Sequence, residues 1–187
     1  MPARPLTTLL FATILSCVSA CGINNIPIFE QAVNESWIEV QAQYRRRAEL
    51  VMDLMQLLEP LRTQEPEIYA NLQAVETRVF EMHVTPDTLE DPDAFANFQE
   101  QQQALTDILG DVLIKSQDLT DLAEAEDFKA MQSTLAGNAE LINVARRDYW
   151  QKVQRYNSEL VTVPGRWWRA FVYPRAQIKE NFVKPAS

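Results

Sequence analysis

From Val33 the residues Trp37, Val40, Tyr44, Ala48, Val51, Met55 and Leu58 recur at steps of three and four. An apolar stripe with that period can be buried only along one side of a long helix. The spacing resumes at Ile68, Leu72, Val75, Val79 and Met82, and again at Phe95, Phe98, Leu105, Leu109, Val112 and Leu119, with Gln102 and Ser116 in polar seam positions. A last run carries Phe128, Met131, Leu135, Ile142, Ala145, Tyr149, Val153, Tyr156 and Leu160. Proline marks the breaks: Pro60 and Pro66 interrupt the first stripe, Val84-Thr85-Pro86-Asp87 stops the second, Asp91-Pro92 opens the third, and Val161 to Gly165 ends the fourth. Four glycines in 187 residues do not suit a fold of turns and strands. The expected fold is all-α, an elongated antiparallel bundle of about four long helices in up-down order. A helix of some 34 residues would be roughly 50 Å long. The polar seam residues Gln102 and Ser116 are expected to set register. Gly110 and Gly137, each about 1 kcal/mol worse than alanine in a helix, read as marks of close helix approach.

Ahead of the bundle, the apolar run from Leu6 to Val18 follows Arg4. It is shorter than the roughly 20 residues a membrane span needs and reads as a secretory signal. The peptide Val18-Ser19-Ala20-Cys21-Gly22 that closes it resembles the lipobox of bacterial lipoproteins, cleaved before a cysteine whose thiol carries diacylglycerol. On this reading residues 1–20 are a lipoprotein signal peptide, 21–28 an anchor linker, 29–174 the helical bundle and 175–187 a flexible tail. Cys21 is the lipidation candidate, and acyl chains at about 0.8 kcal/mol per buried methylene would hold it in the membrane. Gly22 resembles the residue of outer-membrane-directed lipoproteins, so the expected location is the periplasmic face of the outer membrane. In a single-membrane cell it would be the outer face of the plasma membrane. Removing the signal leaves 16 of the 17 basic groups against all 26 acidic ones, a net charge of about −10 that argues against nucleic acid as a partner. Cys17 goes with the signal and Cys21 is consumed by lipid, leaving no thiol for a disulfide, a metal or a nucleophile.

Several motifs carry a family resemblance. Asn25-Ile26-Pro27, Glu35-Ser36-Trp37 with Val40, the run Gln43 to Val51, and Asn138 to Tyr149 followed by Tyr156-Asn157 resemble the LemA family over about residues 25 to 174. The second block, containing Asn143-Val144-Ala145-Arg146-Arg147-Asp148-Tyr149, is the more specific. The resemblance implies a helical, extracytoplasmic bundle anchored at its N-terminus, by a transmembrane helix or by lipid, and no general enzymatic activity. Family members commonly show Asp-Leu-Ile-Pro-Asn-Leu after the arginine stretch. Here Glu49-Leu50-Val51-Met52-Asp53-Leu54 has no proline, so a bend there is not expected.

Reaction chemistry is sparse. His83 has Phe80 three residues before it and no glutamate at the spacing of a Glu-x-x-His metal pair, and no nucleophile elbow or phosphate-cradling glycine loop occurs. Carboxylates such as Glu124, Glu126 and Asp127, or Asp118 and Asp121, read as solvated helix faces. No catalytic residue, metal or cofactor is assigned, and the chain is not expected to be an enzyme. Arg46 and Arg47 on the first helix, with Arg146 and Arg147 on the last, are the partner-binding candidates. Consecutive residues differ by about 100° in direction, so some should flank the seam in interhelical salt bridges while others could meet an acidic partner. Trp167, Trp168 and Phe171, set among Arg166 and Arg169, suit a membrane interface. The favoured alternative is that this segment folds back as a cap on the bundle. The leading expectation is a lipid-anchored envelope scaffold or adaptor binding another envelope protein. The other is a module holding a small apolar or lipid-like ligand in an inter-helix groove.

Overall fold

Each periodic run forms a helix. The computed structural model describes residues 22–63, 66–81, 86–117 and 119–183; Cys21 and His83 lie outside them. The long helices are α1 (Asn25–Leu58), α2 (Pro66–Glu81), α3 (Pro92–Gln117) and α5 (Glu126–Val161), with two short ones, α4 (Thr120–Glu124) and α6 (Gly165–Phe171). Helical turns of the tighter 3₁₀ kind, Glu59–Leu61 and Pro86–Leu89, occupy two of the connections. Local chemistry explains the boundaries. Pro60, which has no backbone N–H, halts α1, and Asp91 starts α3 by accepting bonds from the backbone N–H of Asp93 (3.0 Å) and Ala94 (3.2 Å). Glu126 and Asp127 place negative charge in the first turn of α5, where the helix dipole favours it.

The helices pack in up-down-up-down order. Near the start of α1, Asn25 Nδ2 donates to Glu159 Oε1 at the end of α5 (3.3 Å), and farther along Asn138 Nδ2 donates to the carbonyl of Gln43 (3.3 Å), so α1 and α5 are antiparallel. In the other direction Trp37 meets Phe95 and Phe98, and Arg47 meets Gln102 and Thr106, so α3 runs parallel to α1. Every seam residue named on α1 is buried, as are Phe95, Phe98, Gln102, Leu105, Leu109, Val112 and Ser116 on α3. The core divides in two. Trp37, Tyr44, Phe95, Phe98, Tyr149 and Tyr156 build an aromatic half at the α1 N-terminal end, while Leu50, Leu54, Leu72, Leu105, Leu109 and Leu135 build an aliphatic half at the other.

Three expectations are corrected. The segment assigned to an anchor linker is helical from Asn25, with Ile26 buried in the aromatic core. Pro27 is accommodated because it falls in the first turn, where backbone N–H groups lack intrahelical partners anyway. Gly110 and Gly137 do not mark close helix approach, since a Cβ at either position would meet no atom of another element within 4 Å. The third correction concerns the C-terminal segment, expected to be a flexible tail from Arg175. Residues 172–183 instead run back along α5 as an extended strap, burying Ala176, Lys179 and Phe182.

Hydrogen bonds between side chains and backbone, in both directions, hold that strap on α5. Asn157 donates to the Lys179 carbonyl (2.8 Å) and accepts from its N–H (3.0 Å), the Tyr149 hydroxyl donates to the Glu180 carbonyl (2.7 Å), and Asn181 donates to the Trp150 carbonyl (3.2 Å). On the opposite side the Glu180 N–H donates to the Leu89 carbonyl (2.7 Å). Lys179 Nζ forms ion pairs with Glu90 and, at 3.5 Å, with Glu30. Phe182 then packs among Trp37, Phe95 and Tyr149. An extended segment cannot satisfy its own backbone groups, so this set of partners is what lets it lie on the core.

Candidate functional site

The two halves of the core meet at a polar layer, and the layer opens into a cleft. Arg47 is 7% exposed. Its Nη1 donates to Thr106 Oγ1 (2.7 Å) and its Nη2 to the Gln102 carbonyl (3.0 Å) and to Gln102 Oε1. All these acceptors are neutral, and Nε finds none among the described residues. Across the cleft the Arg146 guanidinium lies 4.4 Å from the centre of the Phe182 ring, a cation–π contact. Neither arginine makes an ion pair among the described residues. Burial pushes the Arg47 pKa down to about 10, with the nearby charge of Arg146 adding to the effect and Tyr44 opposing it. Tyr44 is raised by its own burial, against the pull of Arg146 and Arg47. The cleft encloses about 450 Å³ between α1, α3 and α5, and Gln99, Glu100 and Asn143 complete its wall. Two guanidiniums, one of them buried and neither ion-paired among the described residues, face a cleft whose wall also carries the carboxylate of Glu100.

A second distinctive region forms the base of the bundle. Gly165 permits it: a Cβ there would lie 2.1 Å from the Glu159 carbonyl oxygen, so only glycine lets α6 fold so tightly against the end of α5. Trp168 packs on the aromatic core. Trp167 and Phe171, at spacing i and i+4, share the other side of α6 and are 54% and 84% exposed. Gly22, in a left-handed conformation (φ 109°), sits beside Pro164 and Trp168.

The four arginine candidates therefore part company. Arg47 and Arg146 converge on the cleft, whereas Arg147 is exposed and Arg46 is exposed and paired with Glu49 one turn away (3.2 Å). The interhelical salt bridges expected of them do not form among the described residues; Arg47 ties α1 to α3 through neutral acceptors instead. The aromatic segment divides by residue: Trp168 packs inward, as the expected cap would, while Trp167 and Phe171 face outward. The groove expected to suit an apolar ligand has polar and charged side chains over much of its wall. Sequence reasoning missed Asn138, which is buried at a skipped seam position between Leu135 and Ile142, and the Lys179–Phe182 strap. The signal for the strap was the pair Tyr149 and Asn157, whose polar atoms a helix seam does not need but an extended chain does. Among the described residues no helix is long and apolar enough to cross a membrane, and no cluster of three metal-ligating side chains occurs. The family model of LemA matches residues 36–182, a span ending on Phe182 of the strap. No curated protein matches the chain.

Proposed function

The chain belongs to the LemA family, and on that premise we propose that it is a lipid-anchored adaptor of the cell envelope. It is held by diacylglycerol on Cys21, has no catalytic activity of its own, and takes an acidic side chain of an envelope protein into the Arg47–Arg146 cleft. The observation that supports this reading is the cleft itself, with two guanidiniums facing a space of about 450 Å³ and no ion pair for either among the described residues. A carboxylate from a partner would supply an anion, taken through paired hydrogen bonds by Arg146, because the donors of Arg47 are mostly given to Gln102 and Thr106. The long α1–α5 pair gives the cleft a rigid frame well away from the anchored end.

In-cell photo-crosslinking from Asn143, at the cleft wall, tests the proposal in the full lipoprotein. A single partner should be recovered in near-equal amount, and Arg146→Gln should reduce the yield at least tenfold while helicity stays unchanged. Loss of the crosslink in Cys21→Ser would tie capture to the anchor. A crosslink indifferent to Arg146→Gln would sink the cleft as the docking site, and no enriched protein at all would sink the adaptor.

A further inference from the structure

We propose that the base of the bundle is a binding site for anionic phospholipid headgroups, distinct from the acyl anchor. This rests on the anchored reading, which brings a bilayer within reach of the base. A shallow groove of about 550 Å³ opens there between the end of α5 and α6, with Leu160, Val161, Ala170 and Pro174 as apolar walls and Arg166 and Arg169 as its charges. Neither arginine is in an ion pair among the described residues. Arg169 spends one donor, Nε, on the Ala176 carbonyl (3.0 Å), which fixes its guanidinium at the groove and leaves its terminal nitrogens for a phosphate. Arg166 is exposed.

Three further observations select a lipid surface as the occupant. Trp167 and Phe171 project from the other side of α6 into solvent, and Val161, the last residue of α5, and Val163, in the turn that leads into α6, are 56% and 58% exposed. Such a set costs free energy in water and gains it at the level of lipid headgroups, where aromatic rings settle. Trp168, half-buried, packs against the aromatic core, which turns Trp167 and Phe171 outward before any lipid arrives. Gly22 packs beside Pro164 and Trp168, and the next residue toward the N-terminus is Cys21. The anchor thus leaves the fold at the same end as the groove. A net charge of −9 over the whole chain repels an anionic bilayer, whereas Arg166 and Arg169 attract it at short range. The result is a preferred pose with the base down and the arginine cleft held away from the surface.

Tryptophan quenching by brominated acyl chains tests this with purified full-length lipoprotein reconstituted in two kinds of vesicle, phosphatidylcholine alone and phosphatidylcholine with phosphatidylglycerol. The expected result is stronger quenching with phosphatidylglycerol, most of it lost in Trp167→Phe, which removes the reporter. Arg166→Gln with Arg169→Gln should remove most of the extra quenching that phosphatidylglycerol produces, without releasing the protein from vesicles. Because Arg169 also holds the strap, Arg166→Gln alone serves as the second variant and should give part of that loss with unchanged helicity. Equal quenching on both vesicles, or a phosphatidylglycerol effect untouched by Arg166→Gln, would overturn the proposal. Mass spectrometry of the N-terminal peptide tests the anchor separately. Protein without lipid on Cys21 that still floats with phosphatidylglycerol vesicles, and does so through Arg166, would refute the anchored reading and keep the base site.

Discussion

The aliphatic half of the bundle receives Ile68 and Leu72 from helix α2, whereas the aromatic half receives Ala176 and Phe182 from an extended strap. A helix satisfies its own backbone hydrogen bonds, so leucines at the right period suffice to bury α2. The strap must borrow its backbone partners from α5, α6 and the turn before α3, and its buried apolar side chains are few. Stability in the aromatic half is therefore concentrated in single residues. Phe182→Ala is expected to cost about 3–5 kcal/mol, at the upper end for a large-to-small core change. It also removes the ring under Arg146. Leu72→Ala should cost about 2–5 kcal/mol. Hydrogen exchange would show whether the halves open separately: Phe182→Ala should lower protection around Phe95 and Tyr149 and spare Leu54 and Leu105. Uniform loss in both halves would mean that α1 and α5 bind them into one cooperative unit.

Alkaline pH offers a second way to separate the halves, because the buried tyrosines lie in only one of them. Tyr149 and Tyr156 both have strongly raised pKa values, through burial first, then Glu180 for Tyr149 and Glu30 and Glu90 for Tyr156. Tyr44 is raised as well, again mainly by burial. A folded pKa above the unfolded value of about 10 contributes stability that is fully present below pH 10 and lost as pH rises past it. Arg47 has the opposite sign. With a folded value of about 10, below the ordinary guanidinium range, the unfolded chain binds the extra proton above pH 10, so stability from this group rises with pH there. Three tyrosines outweigh one arginine, and urea midpoints should fall above pH 10. Tyr149→Phe with Tyr156→Phe should flatten that fall. An unchanged alkaline slope in the double variant would place its origin outside the aromatic half.

Sequence periodicity made the helices legible because burial of a stripe is a local pattern: α1, α3 and α5 bury the residues their spacing selects, except that Met131 is half-buried and Leu119 lies past the end of α3. The strap was illegible for the same reason. Residues 172–183 carry no period, and what seats them is a set of long-range pairings, Asn157 with Lys179 or Tyr149 with Glu180. The site was legible in part. Arg47 and Arg146 stood out as residue types, but their convergence depends on the antiparallel register of α1 and α5 and on Phe182 lying beneath Arg146. That one cluster would turn inward and the other half-inward was within reach of a helical wheel; that no carboxylate would meet them was not.

The glycines extend the contrast to its smallest expected effects. At the aromatic end Gly165 is sterically required, because an added Cβ would fall 2.1 Å from the Glu159 carbonyl oxygen. Relief would need the backbone to shift, so Gly165→Ala should destabilise by about 1–3 kcal/mol and loosen α6 from the base. Gly110 lies in α3 beside Leu109 of the aliphatic core, and a Cβ there would meet no atom of another element within 4 Å. There the only difference glycine makes is conformational freedom, which it retains in the unfolded chain and loses in the helix. Gly110→Ala should therefore stabilise by about 0.4–1 kcal/mol, a rise of about 2–4 °C per kcal/mol in the thermal midpoint for a chain of this size. Calorimetry of the two variants side by side distinguishes a steric requirement from a missed opportunity. A destabilising Gly110→Ala would mean that α3 needs flexibility in the aliphatic half, a demand its regular packing does not explain.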